Sequence, residues 1–188
     1  MTLREGAYRL GPQSGRLRVL TGRTGLGARA GHDLVIEVTS WNCQVTVNHA
    51  DPAQSSVTVE VDVDSFEVRE GTGGVKPLTN SDRSEIRRTI RAKILRTSQH
   101  PTITFRSMSV SGSPEALTID GELTIMGITR PTTVQAAVSH AGDVRGSATV
   151  AQSSWGIKPY SAFLGALRLA DEVAIELDGT LTTAGSES

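Results

Sequence analysis

The chain has 188 residues, a formal net charge of −1 and 37% hydrophobic residues, so a single domain with a sizeable core is expected, without disulfides or metal to staple it. Its 17 Val, 10 Ile and 21 Thr make 48 residues β-branched, a bias that suits pleated surfaces and argues against an all-helical bundle. The near-zero charge supplies no global field for nucleic acid, and Cys43, the single cysteine, allows neither an internal disulfide nor a thiolate metal cluster.

The opening MTLREGAYRL has none of the roughly 7–15 apolar residues of a secretory signal. No window holds the about 18 consecutive apolar residues of a membrane-spanning helix, so a cytoplasmic protein is expected. The first strand is expected at Arg16 to Leu20, followed by Leu34 to Val38 and Cys43 to Val47. From Ser56 to Asp64 the alternation places Val57, Val59, Val61 and Val63 on one face and Thr58, Glu60, Asp62 and Asp64 on the other. Phe66 and Val68 then fall on the former polar face, which predicts a bulge or bend near Ser65.

Residues Asp82 to Arg96 break the pattern: Ile86, Ile90 and Ile94 are four apart, and Asp82 with Glu85 forms a capping box. A helix with a narrow apolar stripe is expected there, lying across a barrel end or wall. His100-Pro101 restarts extended chain. Strands follow at Ile103 to Val110, Leu117 to Ile125, Val134 to Val138, Ala148 to Val150 and Val173 to Leu181. An irregular stretch from Gly156 to Ala170 precedes the last of them, and loops of this length are often functional. The final residues read as a frayed, disordered tail over 184–188, leaving one domain over 1–183. Consecutive one-sided strands with short connections mean an antiparallel sheet, best closed as a barrel, with a two-sheet sandwich as the competing geometry.

Catalytic and metal signatures are weak. His32, His49, His100 and His140 share no ligand spacing. No activated-nucleophile motif accompanies Ser153 and Ser154, and Glu60, Asp62 and Asp64 fit a solvated outer face. Gly25 to Ala30 imitates a dinucleotide fingerprint, but a strand follows it, so a glycine turn is expected. The helix holds Arg83, Arg87, Arg88, Arg91, Lys93 and Arg96 against Asp82 and Glu85. These form a solvated face or, on the sharper reading, a transient dock for anionic membrane. Nucleic acid is not expected as a partner, because no aromatic interleaves with these cations.

A barrel of about eight strands is either plugged by its own side chains or holds one small ligand. The inward candidates are small: Leu34, Ile36 and Val38; Val59, Val61 and Val63; Ile103 and Phe105; Leu123 and Ile125; Val173, Ile175 and Leu177, with Gly121 and Gly179 on the same faces. Few rings are available to fill the middle, so a hollow lumen is expected.

Four stretches together resemble the YceI family of lipocalin-like, polyisoprenoid-binding barrels. Gly31-His32-Asp33-Leu34 resembles the family's early histidine strand, and Glu85-Ile86 through His100-Pro101-Thr102-Ile103-Thr104-Phe105 its helix, proline and following strand. Asp120 to Pro131, DGELTIMGITRP, resembles its motif G-x-L-T-I-x-G-V-T-R-P, and Trp155 to Tyr160 with Asp171-Glu172-Val173 its closing segment.

The resemblance implies an all-β, eight-stranded antiparallel barrel with one inserted helix, about 82–96, and a lumen that takes an isoprenoid chain or similar amphiphile. It transfers no catalytic residue and no metal, so a non-enzymatic carrier or store is expected. The leading ligands are an isoprenoid quinone or a prenyl phosphate, with a fatty acid or amide as the nearest variant. Head-group candidates are His32, Arg130, Trp155, Lys158 and Tyr160, since selectivity for an amphiphile must come from polar groups at a mouth. The competing reading is a stress-response or protein-interaction barrel with a filled core, and a weaker third is an isomerase or hydrolase. Pairing of two barrels stays open.

Overall fold

The computed structural model describes residues 4–162 and 167–185. Among them are β1 (Gly6–Leu10), β2 (Gly15–Thr24), β3 (Asp33–Val38), β4 (Trp41–Val47), β5 (Ser56–Asp62) and β6 (Phe66–Thr72). One helix, α1 (Asn80–Thr89), separates these from β7 (Thr102–Ser113), β8 (Ala116–Ile125), β9 (Ile128–Val138), β10 (Asp143–Ala151), β11 (Ser161–Ala162), β12 (Leu167–Thr180) and β13 (Thr182–Thr183). Twelve strands lie along one antiparallel path, β13-β1-β4-β5-β7-β8-β9-β10-β12-β2-β3-β6, and β11 pairs with β12.

Thirteen strand segments therefore replace the eight strands expected, and the bend expected near Ser65 is the turn Val63–Ser65. The difference arises at kinks. The β3–β4 and β5–β6 runs each bend sharply, and the two bends are bonded to each other: Thr39 N–H and Oγ1 donate to Ser65 O, Asp62 N–H to Ser40 O, and Ser65 Oγ to Ser40 O. Short hydroxyl side chains satisfy the backbone groups that a kink removes from the ladder. The β1–β2 run bends at Gly11–Ser14, and β12 continues into β13 past Leu181. Because β6 follows β5 through the turn Val63–Ser65, the ladder β5-β7-β8-β9-β10-β12-β2-β3-β6 returns to its starting run, and the sheet curls into a barrel.

Other differences are local. Strand β1 precedes the expected first strand and buries Tyr8 and Leu10. The helix starts earlier: Thr79 is its N-cap, with Asp82 N–H donating to Thr79 Oγ1 at 3.1 Å and Thr79 N–H donating to the Asp82 carboxylate at 2.8 Å. The capping box is thus Thr79/Asp82, not Asp82/Glu85. After Thr89 the helix widens into a π turn, Ile90–Ile94, closed by Leu95 N–H to Ile90 O at 2.8 Å.

Within the irregular stretch, Ser161 pairs with Arg168, while residues 163–166 lie outside the described residues. The expected frayed tail, 184–188, is held at its start, because Ala184 N–H donates to Ala7 O at 2.9 Å; residues 186–188 lie outside the description. Gly121 and Gly179 do not leave room in the lumen. A Cβ on Gly121 would strike the Phe105 ring and Arg106 O, and one on Gly179 the backbone of Ser14 and Gly15.

Candidate functional site

Alternation around the curled sheet turns every second side chain inward, and those side chains enclose a cavity of about 1370 Å³. That exceeds the roughly 300–1,000 Å³ of common small-molecule pockets. The walls are aliphatic: Leu17 and Val19 of β2, Leu34, Ile36 and Val38 of β3, Val57, Val59 and Val61 of β5, Ile103 and Phe105 of β7, Leu117, Ile119, Leu123 and Ile125 of β8, and Val173, Ile175 and Leu177 of β12. Ile86, Ile90 and Ile94 lay the apolar stripe of α1 and its π turn against the same space.

Every expected lumen residue but one lines this cavity. The exception is Val63, which the turn Val63–Ser65 carries out of the alternation of β5 and into the packed corner, where it is 1% exposed.

The head-group candidates divide. His32 and Tyr160 line the cavity at one end. Arg130, Trp155 and Lys158 do not. Arg130 Nε donates to Ser154 O at 3.1 Å, Trp155 is buried with Nε1 donating to Leu123 O at 3.0 Å, and Lys158 is an exposed loop residue. Arg130 lies at the start of β9 and is drawn to the Gln152–Trp155 turn, Trp155 ends that turn and Lys158 lies in the loop after it, places where sequence proximity to a motif does not fix direction.

Missed at the His32 end are Thr21, Arg23, Lys76, Asp82, Glu85 and Gln152. The signal for two of them was present, because Leu17, Val19, Thr21 and Arg23 continue the period-2 alternation beyond Leu20. At the other end the lining includes Asn48, His49, Ser55, Ser111 and Pro114 from the β4–β5 and β7–β8 connections.

The His32 end is fastened by polar bonds. The Arg23 guanidinium donates to both Asp33 carboxylate oxygens, at 2.9 and 3.1 Å, and to Ala28 O and Gly31 O at 2.7 and 2.6 Å. It neutralises Asp33 and ties down the 25–31 loop. His32 Nε2 donates to Lys76 O at 2.7 Å, pinning the segment between β6 and α1 across the same end. Gly73 and Gly74, at φ +78° and +73°, let that segment lie flat against Arg23 and His32, where a Cβ at either would run into the side chain beneath. The Asp82 carboxyl is held below the ordinary carboxylate range by the Thr79 backbone N–H it accepts. On the wall, burial pushes the Cys43 thiol up to about 11. Among the described residues no group of three His, Cys, Asp or Glu side chains could hold a metal ion.

The YceI-like domain model matches residues 10–181. The chain belongs to the YceI-like family. UPF0312 proteins of Pseudomonas aeruginosa strains LESB58 and PAO1 are each 36% identical to it over 73 residues, 34% of this chain and 38% of the relative. The matched stretch thus spans less than two-fifths of those relatives' length. Among solved structures, Burkholderia cenocepacia BcnA superposes with a TM-score of 0.67 at 19% identity, covering 90% of this chain and 96% of BcnA. The Campylobacter jejuni YceI protein gives 0.59 at 12% identity, covering 80% and 85%. At such identities the likeness is one of fold, and it establishes a YceI-like β-barrel.

Proposed function

We propose that this YceI-like barrel binds an isoprenoid or similar long-chain amphiphilic lipid in its lumen and acts as its carrier or store. The observation that carries the reading is the aliphatic cavity of about 1370 Å³ along the barrel interior, a space that a filled-core interaction module has no use for. A buried methylene gains about 0.8 kcal/mol over water, so a twenty-carbon tail gains roughly 16 kcal/mol on entering such a lumen. Measured against a bilayer the gain nearly vanishes, because the tail passes from one hydrocarbon to another. A barrel of this kind exchanges lipid with membranes rather than trapping it. Head-group choice then falls to polar groups at the ends, such as Lys76 and Tyr160 beside the engaged His32 and Arg23. An isoprenoid quinone or a prenyl phosphate is the leading ligand type.

Mass spectrometry of an organic extract of the purified protein tests the reading, alongside uptake of an added prenyl lipid from detergent. A reproducible amphiphile or saturable uptake is expected. Val61→Trp, which projects an indole into the lumen from β5, should reduce uptake while the protein stays folded by circular dichroism. Extracts free of amphiphile together with no uptake, or undiminished uptake by a folded Val61→Trp protein, would refute it.

A further inference from the structure

We infer that the rim of the lumen around His32 is a docking face for a bilayer carrying anionic headgroups, with Leu26 and Val75 entering the membrane. The inference rests on the lipid-carrier reading and adds the surface through which exchange takes place. Leu26 is fully exposed, Val75 is 80% and Tyr160 48% exposed, and all three lie in loops at this end. Val75 and Tyr160 also line the cavity, so the bare apolar groups stand where the lumen meets the surface.

Asp33 at this end is neutralised by Arg23, and the loops themselves carry charge of one sign. Segments 25–31, 73–78, 156–162 and 167–169 carry Arg29, Lys76, Lys158 and Arg168, all exposed, and no Asp or Glu. The nearby carboxylates on α1 are Asp82, engaged as the partner of Thr79, and Glu85. The rim is also presented on fixed loops, since Arg23 holds Ala28 O and Gly31 O and His32 holds Lys76 O. Exposed apolar tips ringed by cations suit a membrane interface, where the apolar groups bury among acyl chains and the cations meet lipid phosphates.

The arginine face of α1, the surface the sequence suggested for this role, is partly turned to the barrel: Arg87 pairs with Glu67 and Arg91 with Asp64, each at 2.8 Å. A tail leaving the bilayer at the rim would enter the lumen without crossing water.

Flotation of the full chain with phosphatidylcholine vesicles, with and without phosphatidylglycerol, tests this at low salt. Wild-type protein should float with the anionic vesicles. Leu26→Glu combined with Val75→Glu should lose about tenfold or more of that binding, and Arg29→Gln or Lys76→Gln about fivefold each. Arg83→Gln with Arg88→Gln on α1 should leave it unchanged. Equal flotation of the Leu26/Val75 variant, a loss confined to the α1 variant, or no flotation of the wild type overturns the inference. Uptake of geranylgeraniol from detergent should stay at the wild-type level in Leu26→Glu alone and in Arg29→Gln, whose residues lie outside the cavity lining, while both lose flotation. Uptake lost together with flotation in Leu26→Glu would assign Leu26 to the lumen and overturn the docking face. Failure of wild-type uptake overturns the carrier reading and leaves the flotation result standing by itself.

Discussion

Cys43 stands on the lumen wall with 3% of its surface exposed, and desolvation of the thiolate pushes its pKa from 9.0 up to about 11. The folded state therefore holds the thiol proton more tightly than the unfolded chain does. The stabilisation is complete below about pH 9 and is lost as pH rises toward 11, on the order of 3 kcal/mol in all. Denaturant midpoints of the wild type should fall over that window more steeply than those of Cys43→Ala, and parallel curves would contradict the assignment. Lumen residues such as Val59 and Val61 were legible because alternation decides which side chains face inward. Val63 was misplaced because a turn interrupts its strand, and Arg130 and Trp155 because their directions depend on bonds to positions distant in sequence, here Ser154 O and Leu123 O.

The helix is attached to the barrel by carboxylates more than by a broad apolar face. Asp64 accepts from Arg91 and Glu67 pairs with Arg87, while Asp82 caps the helix itself by accepting from Thr79. The hydrogen bonds to Asp64 and Asp82, the leading cause in each case, hold those two carboxyl groups below their ordinary pKa. A depressed carboxylate pKa contributes stability above its unfolded value that disappears as pH falls through the folded one. Acidification below about pH 4 should therefore release α1 while the barrel strands persist. Hydrogen exchange resolved by segment checks this: amides of residues 80–95 should lose protection before those of β7 and β8. Thr79→Ala should raise exchange in the same segment at neutral pH, since loss of an N-cap costs about 1 kcal/mol. Helix existence and its isoleucine stripe were readable from spacing. Its start was not, because Thr79 caps from outside the periodic stretch, and the π turn leaves no local signature in the sequence.

At the scale of the whole molecule, the antiparallel all-β character and the position of the helix followed from alternation and periodicity. The bend near Ser65 also followed, from the change of face at Phe66, but its partner kink at Thr39 did not, because the bond from Thr39 to Ser65 joins positions far apart in sequence. The short β1 and β13 escaped for a related reason: β1 is a strand through β4, Leu10 opposite Cys43, and β13 through β1, Thr183 opposite Tyr8. The ladder that returns from β6 to β5 has a further consequence. A tube hooped by hydrogen bonds cannot swell sideways without breaking them, so its bore is constant and only its length is negotiable. Affinity for a homologous series of prenyl alcohols, measured by titration, should climb with each added isoprene until the tail spans the tube and then level off. The barrel would in that sense be a gauge of chain length, and an unbroken climb across the series would show that the hoop gives way.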